Sequence, residues 1–224
     1  MSYADFTLDL VQQMFGLSVV PSPLFTGVQP IAPTPWLKDT LQRGRDVAVF
    51  SEKARSEFIV APVLLTCREI LQEEISIYSG VRLDVDPERG LKGECDFILA
   101  RQPTLPILQA PLLIILEAKK NDIEEGLGQC AAQMVGARQF NERHQETTEI
   151  LYGCVTTGET WQFMQMHQQE LAIDTNRYFI NEVDKILGIL ATVVQTPPAT
   201  LLPEPSGVCK ESPAALREEL VDDG

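Results

Sequence analysis

The chain has 224 residues, of which 44% are hydrophobic, and a formal net charge of -14 at pH 7. This length suits one domain with extensions, and the longest apolar runs are far shorter than the roughly 20 residues of a membrane-spanning helix. The negative charge argues against the basic footprint of most nucleic-acid-binding proteins, although residues 36–145, with 14 basic and 17 acidic side chains, carry only -3 of it.

The first 50 residues predict an N-terminal extension that is helical at its start and rich in proline. Apolar positions between residues 3 and 14 favour a short amphipathic helix, and five prolines over 15–36 favour an extended connector. Ser51 then has the side chain of a helix N-cap, and a helical pattern runs to about residue 72. Pro62 lies inside this pattern, so we expect a kink there or two abutting helices.

The pattern then changes to that of strands. Residues 81–86 alternate between apolar and polar side chains, and residues 93–100 are strand-like. Residues 112–119 are rich in Ile and Leu, as a buried central strand is. A long helix is predicted over 123–144.

Three further strands and a helix are expected in the next part of the chain. The strands are predicted at 151–156, 160–166 and 170–174, and the helix at 178–194. After residue 195 the composition turns to Pro, Ser, Glu and Asp, which is typical of a disordered acidic tail.

The chain therefore divides into an extension (1–50), a domain (51–195) and a tail (196–224). Within the domain, a helix is followed by three strands, a second helix and a further strand. This α-β-β-β-α-β order predicts an α/β fold with a central mixed sheet flanked by helices.

The cysteines are odd in number, widely spaced and without a Cys-x-x-Cys pair. They are Cys67, Cys95, Cys130, Cys154 and Cys209. This pattern predicts free thiols in a reducing compartment, so we expect a cytoplasmic protein.

Charged residues on two predicted strands are the candidates for chemistry. Because successive side chains of a strand alternate between faces, Glu117 and Lys119 point the same way, and Glu94 and Asp96 form a second such pair. A buried carboxylate or ammonium must pair, bind a ligand or reach solvent. If the two strands are neighbours, these groups converge, and hard oxygen ligands of this kind hold Mg²⁺ in phosphodiester-cleaving sites.

These residues, Gly93-x-x-Asp96 followed by Glu117-x-Lys119, resemble the motif of the PD-(D/E)XK nuclease superfamily. The proline that gives the superfamily its name is absent, because Cys95 precedes Asp96.

The resemblance covers about 51–167 and implies a restriction-endonuclease-like core. It implies that Asp96, Glu117 and the Ala118 carbonyl hold Mg²⁺, with Mn²⁺ as a substitute, and that Lys119 is the catalytic lysine. The expected activity is that of an endonuclease acting on DNA.

The resemblance also points to supporting residues on the two helices. Glu57 best matches a glutamate that many members carry on the first core helix, and Glu52 is the alternative. Gln129, and less closely Gln133, match a glutamine on the helix after the catalytic strand. Both glutamines fall on the face opposite the apolar residues of that predicted helix.

Plainer interpretations remain open for each of these residues. Glu117 and Lys119 could form only a strand-end salt bridge, Glu57 could be a solvated acid, and Gln133 could belong to a polar helix face. The whole chain could then be a catalytically silent binding or scaffold protein whose acidic surface meets a protein partner. A homodimer is compatible with duplex cleavage, but no residue pattern requires it.

The histidines and aromatic residues are not expected to carry chemistry. His144 and His167 have no partner at zinc-ligand spacing, so we expect them at the surface. Trp161 and Phe163 share a strand face and are predicted to be core residues.

Overall fold

The computed structural model of the protein describes residues 1–48, 51–72, 74–102, 105–120, 122–146 and 148–195. The expected acidic tail and Cys209 lie outside these ranges. The described part of the chain forms six α-helices and eight β-strands.

The helices are α1 (Leu8–Phe15), α2 (Pro35–Ala48), α3 (Glu52–Arg55), α4 (Ala61–Ile70), α5 (Glu124–Arg143) and α6 (Val183–Gln195). The strands are β1 (Ser18–Ser22), β2 (Ser76–Arg82), β3 (Glu94–Ala100), β4 (Leu112–Ala118), β5 (Ile150–Thr156), β6 (Thr160–His167), β7 (Glu170–Asp174) and β8 (Tyr178–Phe179). Two 3-10 turns lie at Tyr3–Asp5 and Ile180–Glu182, and a π-helical turn at Ser56–Val60 joins α3 to α4.

All eight strands belong to one mixed sheet. Its order is β1-β7-β6-β5-β4-β3-β2, and β8 pairs with β6. β4 runs parallel to β5, and β1 runs parallel to β7, whereas the other neighbours are antiparallel. The parallel connection from β4 to β5 contains α5, as a crossover of this length requires. The predicted α/β fold with a mixed central sheet and flanking helices is confirmed.

A hydrophobic core lies on each face of this sheet. One core joins α2, α4 and α6 to the sheet, and the other joins the Tyr3–Asp5 turn, α1 and α5 to it. Every residue of β4 is buried, because helices cover both of its faces. Trp161 and Phe163 lie in the first core, which confirms their prediction as core residues.

The N-terminal residues pack into the same unit. The predicted extended connector over 15–36 contains β1, which pairs with β7 from Ser18 opposite Glu170 to Ser22 opposite Asp174. Pro21 is tolerated there because β1 is an edge strand of the sheet.

The first core helix begins at the predicted N-cap. Ser51 Oγ accepts a hydrogen bond from the Ala54 N–H at 3.0 Å. The predicted interruption around Pro62 takes the form of the π-helical turn, in which the Ala61 N–H donates to the Ser56 carbonyl. Pro62 then falls in the first turn of α4, where its missing N–H leaves no intrahelical bond unmade.

Two predicted elements are displaced. The strand predicted at 81–86 is found at Ser76–Arg82, where Gly80, with a φ of 64°, breaks the alternation of side chains. The helix predicted at 178–194 begins only at Val183, because Tyr178 pairs with Trp161 of β6 and extends the sheet instead.

The four described cysteines, Cys67, Cys95, Cys130 and Cys154, are buried and form no disulfide, in agreement with the predicted free thiols. Among the described residues, no helix combines the length and the apolar character that crossing a membrane requires.

Candidate active site

β3 and β4 are antiparallel neighbours, which brings the two predicted metal ligands to one end of the sheet. Phe97 lies opposite Leu116, so Asp96 comes beside the end of β4 that carries Glu117. Asp96 Oδ2 accepts a hydrogen bond from the Ala118 backbone N–H at 2.7 Å. The other oxygen of Asp96, Oδ1, accepts no hydrogen bond from a described residue.

Glu117 is 3% exposed and lies at the centre of a side-chain network. Its Oε1 accepts hydrogen bonds from Lys119 Nζ at 2.9 Å and from Gln129 Nε2 at 2.5 Å. Its Oε2 accepts one from Gln133 Nε2 at 2.9 Å. Lys119 Nζ also donates to Gln129 Oε1 at 2.9 Å. One ammonium and two amides therefore compensate a carboxylate that would otherwise be costly to bury.

Both glutamines come from α5 and lie one turn apart. The prediction that Gln133 belongs only to a polar helix face is wrong, because its side chain is buried and bonded to Glu117. α5 packs between the sheet and the α1 layer, so nearly all of its faces are covered and its two amides face β4. Gln129, the closer match of the two, contacts both Lys119 and Glu117.

The electrostatics of the cluster follow from its burial. Burial raises the pKa of Glu117 to about 7, and the negative charge of Asp96 adds to the rise. Burial also raises the pKa of Asp96, and the negative charge of Glu52 raises it further. The hydrogen bond from the Ala118 N–H lowers this pKa, but by less than burial raises it. Burial acts to lower the pKa of Lys119, but the Glu117 carboxylate outweighs it and raises that pKa, so Lys119 is a cation at neutral pH.

The two glutamates of the first core helix differ in their relation to this cluster. Both line a cleft of about 370 Å³ that also contains Asp96. Both glutamates are exposed. The Glu57 carboxylate lies 3.8 Å from Lys53 Nζ, whereas the charge of Glu52 acts on both Asp96 and Lys119. Glu52, the alternative in the sequence prediction, is therefore the better placed of the two.

The oxygen atoms around Asp96 and Glu117 offer part of the coordination that Mg²⁺ requires. No group of three or more His, Cys, Asp or Glu side chains within the described ranges is arranged to hold a metal ion. Mg²⁺, however, is commonly bound through one or two carboxylates, with waters and substrate phosphates completing the octahedron. Asp96 Oδ1 accepts no bond from described residues and Glu117 Oε2 accepts only one, so both can still act as ligands. The residues present fit a magnesium ion bound together with a phosphate.

A second cavity, of about 330 Å³, begins at Lys120, the residue after Lys119. Its charged residues are Arg55, Lys120, Asp122, Glu124, Glu159 and Arg177. Arg177 pairs with Glu124, while Lys120 is exposed and forms no ion pair with a described residue. The 370 Å³ cleft, in contrast, is lined by four carboxylates and one ammonium.

No protein-family model and no curated protein sequence matches the chain. The geometry of Asp96, Glu117 and Lys119 is therefore the basis on which the function is inferred.

The remaining candidates lie outside the cluster. His144 and His167 are exposed, as predicted. The contribution of Arg177 to the second cavity was not predicted, and no motif in the sequence marks it.

Proposed function

We propose that the protein is a Mg²⁺-dependent phosphodiester hydrolase that acts as an endonuclease on DNA. The observation that carries the proposal is the convergence of the buried carboxylate of Glu117, the half-buried carboxylate of Asp96 and one cationic lysine at the end of a central strand. Titratable groups whose pKa is shifted by burial together with a specific charge partner cluster at functional sites.

Asp96 and Glu117 would hold the ion, together with the carbonyl of Ala118. A bound Mg²⁺ supplies a Lewis acid for the phosphate and lowers the pKa of a bound water. Its charge also favours the ionised form of Glu117, which burial alone disfavours.

Lys119 would orient the attacking water and stabilise the charge that develops on the phosphate. It acts as a hydrogen-bond donor and not as a base, because the Glu117 carboxylate keeps it protonated. Gln129 fixes its position, since Gln129 Oε1 accepts from Lys119 Nζ while Gln129 Nε2 donates to Glu117. The ammonium is thus aligned before any substrate arrives.

The charges around the site support one direction of approach for a polyanion. The cleft beside Glu52 and Glu57 would repel phosphates, because its four carboxylates face one ammonium. The cavity beside Lys120 is less negative, because its three cations balance its three carboxylates, and Lys120 forms no ion pair with a described residue. We infer that the phosphate backbone flanking the scissile bond lies on the Lys120 side.

The test combines cleavage with metal binding. Wild-type protein should nick plasmid DNA in Mg²⁺ or Mn²⁺ and be stabilised by Mn²⁺ in a thermal shift. Asp96→Asn should lose both properties, whereas the control Glu170→Gln, an exposed acid at the start of β7, should keep them. Cleavage by Asp96→Asn at the wild-type rate would refute the assignment.

The second candidate is a catalytically silent scaffold, and one observation favours it. Lys119 Nζ lies 2.9 Å from Glu117 Oε1, which is the plain strand-end salt bridge that the sequence also allows. In a scaffold, the ion pair and its two amides would be purely structural. The wild-type protein would then show no Mn²⁺ stabilisation and no cleavage of single-stranded or duplex DNA or RNA.

A further inference from the structure

Two buried polar atoms beneath the proposed metal site lack a hydrogen-bond partner among the described residues. They are the amide oxygen Oε1 of Gln133 and the hydroxyl Oη of Tyr3. Both side chains are almost completely buried, at 0% and 1% exposure. A buried polar group without a partner destabilises the fold by roughly 1–3 kcal/mol, so each of these atoms calls for a bound polar partner.

The orientation of the Gln133 amide is fixed by its neighbours. Its Nε2 donates to Glu117 Oε2 at 2.9 Å and lies 3.4 Å from the Glu94 carbonyl. An ionised carboxylate and a carbonyl only accept, so the amide nitrogen must face them. The oxygen Oε1 is consequently turned away from Glu117 and requires a donor on its other side.

Tyr3 reaches the same part of α5. A Cβ placed on Gly136 would lie 2.2 Å from Tyr3 Oη, so the hydroxyl touches the helix one turn beyond Gln133. The other end of Tyr3 is held at the start of β3, because its N–H donates to the Lys92 carbonyl at 3.0 Å and its ring packs against Gly93. Tyr3 and Gln133 thus both connect the beginning of β3 to the middle of α5.

We propose that Tyr3 is a positioning residue for Glu117, acting through an ordered water that bridges the Tyr3 hydroxyl and the Gln133 amide oxygen. The water accepts from the Tyr3 O–H and donates to Gln133 Oε1, which gives both atoms a partner. Buried waters usually satisfy groups of this kind and make about three hydrogen bonds each. The N-terminal segment, which the resemblance to nucleases does not cover, would in this way help to hold the metal ligand.

The consequence for metal binding rests on the proposed function, whereas the water itself does not. The first measurement is a high-resolution crystal structure of the full chain. It should contain a water within hydrogen-bonding distance of both Tyr3 Oη and Gln133 Oε1. A direct bond between the two side chains, or no density between them, would overturn the bridge.

The second measurement is the Mn²⁺ affinity, titrated by electron paramagnetic resonance. Tyr3→Phe removes only the hydroxyl and should weaken Mn²⁺ binding about threefold or more. The matched control is Tyr78→Phe, because the Tyr78 hydroxyl donates to the Ile107 carbonyl at 3.0 Å, away from Gln133. This variant should leave the Mn²⁺ affinity unchanged. Combining Tyr3→Phe with Gln133→Leu should weaken binding no further than Gln133→Leu alone, since both act along one path.

The outcomes separate this inference from the proposed function. If Tyr3→Phe lowers stability but keeps the wild-type Mn²⁺ affinity, Tyr3 is only structural and the positioning role is wrong. If wild-type protein binds no Mn²⁺ while the water is present, the proposed function fails and the bridge stands. If the fold loss of Mn²⁺ affinity in the double variant equals the product of the losses in the two single variants, the two side chains act independently and the shared path is refuted.

Discussion

Gln133 Nε2 donates to Glu117 Oε2 at 2.9 Å, so a side chain from the middle of a buried helix holds the carboxylate at the end of the central strand. Lys119 and Gln129 hold the other oxygen of Glu117. The carboxylate is therefore restrained on both sides by groups whose own positions are fixed by packing. Such support is what keeps a catalytic ligand within a fraction of an ångström of its working position.

Lys119→Met should reduce the rate constant for DNA cleavage by roughly 10²- to 10³-fold, the usual effect of removing one preorganised donor to a developing charge. The fold should persist, because Glu117 keeps its bonds from Gln129 and Gln133 and can take up a proton. Single-turnover cleavage and circular dichroism would measure the two effects. Lys120→Met, a neighbouring exposed cation, is the control and should keep the single-turnover rate at saturating DNA.

The stability of the metal-free protein should fall as the pH rises from about 4.5 to about 7. The pKa of Glu117 is raised from 4.5 to about 7, so between these values the folded state binds more protons than the unfolded state. The loss should be complete above pH 7 and should amount to about 3 kcal/mol, given 1.36 kcal/mol per pKa unit. Urea unfolding at pH 5 and pH 8 measures it.

Glu117→Gln supplies the control for this pH dependence, because it removes the titrating group. The free energy of unfolding of Glu117→Gln, relative to wild type, should increase from pH 5 to pH 8 without metal. A difference that stays constant over this range would show that Glu117 titrates at its ordinary pKa.

The sequence predicted most of the elements that build the site. An apolar run ending in Glu117-x-Lys119 and a strand-like segment with Asp96 predicted which side chains share a face, because strand alternation is a local property. Their convergence depended on β3 and β4 being neighbours, which the pairing of Phe97 with Leu116 establishes. The long helix after them, now α5, was also predicted nearly to the residue.

The positions of Gln133, Tyr3 and Glu52 could not be predicted in the same way. Gln133 lies opposite the apolar stripe of its own helix, and it is buried because α5 packs between β4, which Gln133 faces, and the layer of α1 and Tyr3–Asp5. Glu52 and Glu57 have equivalent local patterns, and the tertiary position of the first helix decides between them. β1 was missed because Pro21 and the prolines that follow it are typical of a connector, and only its pairing with β7 makes it a strand.

Glu52→Gln should weaken Mn²⁺ binding several-fold, whereas Glu57→Gln should change it by less than about twofold. The reason is electrostatic: a negative charge near Asp96 attracts a cation, and Glu52 is the glutamate of this helix that acts on Asp96 and Lys119. The Glu57 carboxylate is exposed and lies close to Lys53. Titrating both variants in parallel makes each the control of the other, and equal effects would contradict the assignment of Glu52.

Lys120→Ala should weaken DNA binding uniformly across sequences and reduce the salt dependence of the affinity. If Lys120 contacts one phosphate, the slope of log K against log salt should fall by about 1. The matched control is Lys53→Ala, which removes the single cation from the acidic cleft and should change the slope little, because the backbone is inferred to avoid that cleft. Fluorescence anisotropy in Ca²⁺, which supports binding without requiring turnover, gives both slopes. A larger loss for Lys53→Ala than for Lys120→Ala would place the DNA in the cleft beside Glu52 and reverse the inferred direction of approach.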